Sequence, residues 1–181
     1  MTVAIDPDVD DEELEQSSED ATTLRRILWF AAVIVVLLLV RSFVLEPVRV
    51  RSDSMEPTLP SGAIVLIDKL TYLTREPHRG DIVVTADPRT GESIVKRVVA
   101  VGGDSVGIED GQLIVNGASI VESYIDNAEM DGFFTGPDVV PPGEVYLLGD
   151  NRDTSEDSRA FGTVDVDNIE GRVLITVWPL G

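Results

Sequence analysis

Two serines and one lysine are the side chains of this sequence that could support nucleophilic catalysis. Ser52 and Ser54 stand one residue apart, just before a turn that contains proline. A serine in a loop is commonplace, and it becomes a nucleophile only when a base takes its proton. The chain has no cysteine, one histidine and two lysines, Lys69 and Lys96. A thiol nucleophile, a disulfide framework and a thiolate zinc site are therefore excluded.

Lys96 lies in a run of β-branched residues that alternates like a strand. The alternation places Ile94, Lys96 and Val98 on one face. A charged residue in the middle of a strand usually faces solvent, and this remains one interpretation. If the face is buried, desolvation lowers the lysine pKa from about 10.4 and allows the amine to act as a base. The pattern alone thus leaves open whether a Ser–Lys pair exists.

The other two candidate bases are less favourable. Lys69 follows Asp68 at the end of a predicted strand, which favours a solvated position. His78 stands in a polar loop, so we expect a surface histidine rather than a member of a catalytic triad. A single histidine also excludes a two-histidine metal site. We expect neither a metal nor a cofactor.

Short β-branched runs separated by glycine and proline predict the elements that hold these residues. The predicted strands are 63–67, 81–85, 93–100, 112–115, 144–148 and 172–178. Asp110-Gly111 and Asn116-Gly117 are typical hairpin turns. No long helical periodicity follows Leu45. The sequence therefore predicts an all-β domain, a curled sheet or barrel over residues 46–181, with a smaller β subdomain at roughly 103–145.

An uncharged apolar run from Ile27 to Val40 precedes this domain. Extended over 25–45, it is long enough as a helix to span a bilayer. A buried core helix is the alternative, but no face of the run is polar, whereas a helix packed on the surface of a domain needs a polar face. A cleaved signal peptide would need a small-residue cleavage site, so an uncleaved anchor is favoured. Arg25 and Arg26 favour a cytoplasmic N-terminus and an extracytoplasmic β-domain.

The charge is uneven along the chain. Residues 1–24 hold nine acidic residues and no basic residue, and we expect a disordered cytoplasmic tail there. The formal net charge of −19 excludes the basic surface of a nucleic-acid-binding protein.

Four segments of the chain, in this order, resemble the conserved boxes of the bacterial type I signal peptidases. These segments are Ser52-Asp-Ser-Met-Glu-Pro-Thr-Leu59, Arg79-Gly-Asp-Ile-Val-Val84, Lys96-Arg-Val-Val-Ala-Val-Gly-Gly-Asp104 and Gly149-Asp-Asn-Arg-Asp-Thr-Ser-Glu-Asp-Ser-Arg159. The resemblance covers nearly everything after Arg25. It implies a membrane-bound serine endopeptidase that removes signal peptides from exported preproteins.

The resemblance also implies a role for individual residues. Ser54 matches the nucleophile and Lys96 the general base. Ser52 matches the serine that completes the oxyanion hole with the Ser54 backbone N–H. Ser155 matches the serine that orients the lysine amine.

Further implied features concern support and specificity. Asp157 and Arg159 match an ion pair that supports the site. Asp53 departs from the glycine frequent at its position. The preproteins that this family cleaves carry small residues at the first and third positions before the cleavage site. We expect the apolar pockets for them to be lined by Val50, Met55, Ile94 and Val95.

Two other classes of protein are alternatives to a signal peptidase. Self-cleaving LexA-like proteins also use a Ser–Lys pair on a related β-fold, but they are soluble. A membrane-anchored binding module would have no reason to carry both the serine and the lysine boxes. Cleavage of a preprotein by the purified chain would distinguish the signal peptidase from these two alternatives.

Overall fold

A computed structural model describes residues 7–125 and 134–178 of the chain. The chain divides into two units, Met1–Ser42 and Phe43–Gly181.

Helix α1 (Pro7–Phe43) forms the first unit and ends at the start of the second. Its stretch Thr22–Arg41 has a mean hydropathy of 2.3 over 20 residues, and none of it is buried. By length and composition this stretch could cross a membrane. The backbone passes from α1 into a strand at Leu45, a residue that we had placed at the end of the anchor.

The beginning of α1 lies in the acidic segment of residues 1–24, and the assignment of that segment as a disordered cytoplasmic tail stays a prediction. The backbone is helical from Pro7 onward, and residues 1–6 lie outside the described part. Proline suits the first turn of a helix, and acidic residues there are favoured by the helix dipole. Continuity with the apolar stretch also removes the cost of nucleating a separate helix.

The second unit is built on a curled antiparallel sheet. Within the described residues its strand order is β1-β2-β11-β3-β4-β9-β10. These strands are β1 (Leu45–Arg49), β2 (Ile64–Asp68), β3 (Ile82–Ala86), β4 (Ser93–Val101), β9 (Glu144–Leu148), β10 (Val164–Asp165) and β11 (Ile169–Trp178). Irregular register between Val98 and Ala100 interrupts the β4–β9 ladder, and such irregularities increase the twist of a sheet.

A smaller sheet is inserted between β4 and β9. Its order is β7-β6-β5-β8, with β5 (Ser105–Glu109), β6 (Gln112–Val115), β7 (Ala118–Ser119) and β8 (Thr135–Val139). Both predicted turn dipeptides connect neighbouring strands of it. Asp110 and Gly111 have φ of 52° and 73°, and Asn116 and Gly117 have φ of 54° and 76°, as a type I′ turn requires.

The remaining described elements of the second unit are short. They are helices α2 (Thr71–Thr74) and α3 (Ser158–Phe161) and a 3-10 turn at Val166–Asn168. Three clusters of buried apolar side chains form the hydrophobic core of this unit. The prediction of a mainly β domain behind one apolar helix is confirmed.

Candidate active site

Ser54 lies in a tight turn between β1 and β2 and is 5% exposed. Two backbone hydrogen bonds shape the turn, from the Glu56 N–H to the Asp53 carbonyl and from the Leu59 N–H to the Met55 carbonyl. The hydroxyl oxygen of Ser54 lies 3.0 Å from that of Ser52. The two predicted serines are therefore in hydrogen-bond contact.

Lys96 lies in the middle of β4, opposite Val83 of β3, and is 3% exposed. Of the two interpretations that the sequence left open, the structure supports the buried one. The amino group donates a hydrogen bond of 3.0 Å to the Ser155 hydroxyl. Burial lowers the pKa of Lys96 below its ordinary value, with Asp157 opposing and Arg159 reinforcing the shift. Such a shift favours the neutral amine that a general base requires.

Gly149 lies where the serine turn meets Ser155, the residue that accepts the hydrogen bond of the lysine. A Cβ at this position would collide with the Ser155 hydroxyl oxygen and would lie 2.5 Å from the Ser54 carbonyl oxygen. Ser155 and the backbone of Ser54 therefore close over the same face of Gly149. The Asn151 N–H donates a 3.0 Å hydrogen bond to the same Ser54 carbonyl, which fixes the turn against this loop.

Asp157 and Arg159 form an ion pair that contacts the backbone of Ser155. The guanidinium donates to both carboxylate oxygens at 2.7 and 2.8 Å, and Asp157 is fully buried. Asp157 also accepts from the Gly149 N–H at 3.1 Å, and Arg159 donates to the Ser155 carbonyl at 3.1 Å. The pair thus ties both ends of the loop that carries Ser155.

The expected pocket residues differ in exposure. Val50 and Met55 are fully buried in one apolar cluster of the main sheet, and Val95 packs against that cluster. Ile94 is partly exposed. Their role in binding substrate stays a prediction. Asp53 exposes its side chain beside Ser54.

The two other bases lie in exposed positions, as predicted. Lys69 forms a surface ion pair with Glu46 at 3.1 Å. His78 is exposed and contacts Arg75.

Sequence reasoning assigned no role to Arg97 or Asp150. Arg97 follows Lys96 on β4 and points to the other face, yet it is only 8% exposed. It donates to both carboxylate oxygens of Asp150, at 2.8 and 2.6 Å. The one available signal was that both residues fall within the family boxes.

Comparison with known proteins places the chain in a family. Residues 23–178 match the model of the family described as signal peptidase, peptidase S26. The signal peptidase I of Leptolyngbya laminosa is 34% identical over 149 residues, which cover 78% of this chain and 72% of the relative. The signal peptidase IB of Staphylococcus aureus is 34% identical over 157 residues, 78% of this chain and 82% of the relative.

A solved structure is also similar. The crystal structure of a signal peptidase I from Enterococcus faecalis V583 shares 34% identity, covers 56% of this chain and 98% of its own, and has a TM-score of 0.48. The chain belongs to the signal peptidase family, peptidase S26, and it is a peptidase. This confirms the family that the four sequence boxes indicated.

Proposed function

We propose that this chain is a membrane-anchored endopeptidase that cleaves N-terminal signal peptides from exported preproteins with a Ser54–Lys96 dyad. One observation carries the proposal. The buried amine of Lys96 is held by Ser155, and Ser155 closes over Gly149 together with the backbone of Ser54. The family, whose relatives are named signal peptidases, supplies the class of substrate.

The first half of the reaction forms an acyl-enzyme. Neutral Lys96 takes the proton of the Ser54 hydroxyl, and the oxygen attacks the carbonyl carbon of the scissile peptide bond. For this step the hydroxyl of Ser54 gives up its hydrogen bond with Ser52 and donates one to the lysine amine instead. The tetrahedral intermediate then breaks its C–N bond, and the lysine ammonium gives its proton to the departing amine.

The second half releases the signal peptide. Lys96 is neutral again and takes a proton from water, whose oxygen attacks the ester carbon. The C–O bond to Ser54 breaks, and the proton returns to the serine. A lysine whose pKa is lowered by burial can perform both transfers without a carboxylate or an imidazole.

The negative charge on the intermediate needs hydrogen-bond donors. The Ser54 backbone N–H and the Ser52 hydroxyl are proposed to donate to it. Ser52 already lies within hydrogen-bond distance of the attacking oxygen, so it needs no large movement to reach the oxyanion beside it. A donor of this kind contributes about 3 kcal/mol to the transition state.

Small residues at the first and third positions before the cut are proposed to fill apolar pockets formed by Val50, Met55, Ile94 and Val95. All four flank Ser54 or Lys96 in the chain. Asp157 and Arg159 support the site by fixing the loop of Ser155.

The apolar stretch of α1 is proposed to anchor the enzyme in the bilayer, over 25–45, with residues 1–24 in the cytoplasm and residues 46–181 outside. The exposed apolar side chains of the stretch support insertion in lipid, and Arg25 and Arg26 support the orientation. Protease added outside spheroplasts should digest the β-domain. Trimming of only the acidic segment would show the opposite orientation.

The decisive test of function is cleavage of a purified preprotein by the full chain in detergent. The wild type should release the signal peptide, and Ser54→Ala should not. Ser119→Ala, a change at an exposed serine of the smaller sheet, is the matched control and should cleave normally. Cleavage of the chain itself without cleavage of the preprotein would favour the LexA-like alternative instead.

A further inference from the structure

A buried ion pair joins the smaller sheet to the candidate active site. Glu122 follows β7 in the smaller sheet, and Arg152 lies in the loop after β9. The guanidinium donates to the carboxylate at 2.6 Å, and both side chains are only 2% exposed. The pair therefore lies in the interior.

Arg152 connects this carboxylate to Gly149. Its Nε donates a 3.0 Å hydrogen bond to the Gly149 carbonyl, while its own carbonyl accepts from Arg159 at 2.7 Å. Gly149 is the residue over which Ser54 and Ser155 close. Glu122 thus fixes the side chain that holds the backbone at this contact.

Tyr124 connects the same carboxylate to the strand of the lysine. Its hydroxyl donates to Glu122 at 2.5 Å, and its ring lies 3.8 Å from the guanidinium carbon of Arg97. Arg97 is adjacent to Lys96 in β4 and is paired with Asp150, the residue after Gly149. The short segment that follows β7 therefore touches both the lysine strand and the loop opposite it.

A stability role alone accounts poorly for this arrangement. The free energy lost when two charges are removed from water is about as large as the free energy gained from their attraction. A well-packed apolar pair would therefore stabilise the fold equally well. The charged hydrogen bonds instead impose fixed distances and directions on the groups that they join. Those groups are the backbone of Gly149 and the guanidinium next to Lys96.

We infer that Glu122 and Tyr124 are positioning residues for the peptidase reaction: they set the placement of the Ser54 turn relative to the Lys96–Ser155 pair by holding Gly149 through Arg152 and β4 through Arg97. The inference rests on the proposed function. It gives the segment that follows β7 a part in catalysis.

The test compares kcat and KM of preprotein cleavage by the full chain in detergent, each variant being assayed well below its melting temperature. Glu122→Gln keeps the size and the acceptor oxygen but leaves Arg152 without its counter-charge. We expect kcat to fall by about tenfold to a hundredfold with KM unchanged, because a small misplacement of reacting groups is costly. Tyr124→Phe keeps the ring against Arg97 and loses one hydroxyl. It should lower kcat in the same way but less.

The control is Ile108→Val, which removes one methylene from the buried core of the smaller sheet. It should lower the melting temperature and leave kcat unchanged. If Glu122→Gln and Tyr124→Phe behave like Ile108→Val, with stability lost and kcat retained, the positioning role is wrong. If Glu122→Gln does not fold, Tyr124→Phe decides the matter by itself, because it leaves every buried charge paired.

The same assay separates this inference from the proposed function. A wild-type chain that leaves the preprotein intact contradicts the function. An active wild type, an inactive Ser54→Ala and an undiminished kcat in Tyr124→Phe contradict the positioning role alone.

Discussion

The amino group of Lys96 donates a 3.0 Å hydrogen bond to the hydroxyl of Ser155, a residue 59 positions further along the chain. A buried lysine has a long side chain with several rotatable bonds, and one fixed acceptor selects a single position for its nitrogen. Ser155 is in turn held by Arg159, which donates to its carbonyl. The candidate base is thus oriented from two directions, by its strand and by the loop opposite it.

Ser155→Ala removes the acceptor that orients Lys96. We expect kcat to fall by about tenfold or more, since the amine then samples positions out of reach of Ser54. Ser155→Thr keeps a hydroxyl and should restore part of the rate. Equal kcat for Ser155→Ala and the wild type in preprotein cleavage would show that Ser155 does not orient the lysine.

Gly149→Ala places a methyl group where the Ser155 hydroxyl and the Ser54 carbonyl already lie. One of them must move, so we expect kcat to fall on the order of a hundredfold. Gly102→Ala is the matched control. Its Cβ would also be crowded, at 3.0 Å from Pro141, but it lies just past the end of β4. It should cost stability and spare kcat, and a similar loss of kcat in both variants would point to general destabilisation.

Ser52→Ala tests the proposed oxyanion donor. Ser52 is an exposed residue, so the loss of its hydroxyl should leave folding intact. Turnover should decrease on the order of a hundredfold, with the Ser54 backbone N–H still donating. A folded variant with wild-type turnover would remove Ser52 from this role.

Lys96→Met should make the protein inactive and more stable. Burial lowers the pKa of Lys96 in the folded state. At neutral pH the free energy of unfolding is therefore reduced by the cost of burying or deprotonating the amine. This cost is greatest below the folded pKa and disappears above the unfolded one. The melting temperature of Lys96→Met should therefore exceed that of the wild type at neutral pH, and the difference should shrink as the pH rises. An unchanged or lower melting temperature would mean that the buried amine carries no such cost.

The sequence predicted six of the eleven strands of the described residues, β2, β3, β4, β6, β9 and β11, because alternation and turn dipeptides are local signals. The face on which Lys96 lies could not be decided in this way, since both faces of β4 are buried. Arg97 can point inward opposite Lys96 only because Asp150 pairs with it, and that partner lies far along the chain. The need for a glycine at 149 depends on contacts with Ser54 and Ser155, which only the folded chain brings together.

Other features had no local signal. Glu122 looks like an ordinary acidic loop residue in the sequence, and its burial depends on its contacts with Arg152 and Tyr124 in the folded chain. Four matching boxes nevertheless located the candidate site, because each of them combines several residue types in a fixed order.

The most direct test of the Ser–Lys mechanism is the cleavage rate of a preprotein by Lys96→Arg beside Lys69→Arg. Arginine keeps the charge but cannot give up its proton in a protein, so it cannot serve as the base. Lys96→Arg should fold and show no cleavage. Lys69→Arg changes an exposed ion pair with Glu46 and should cleave at nearly the wild-type rate, as should His78→Ala. Full activity of Lys96→Arg, or loss of activity in a well-folded His78→Ala, would contradict the mechanism.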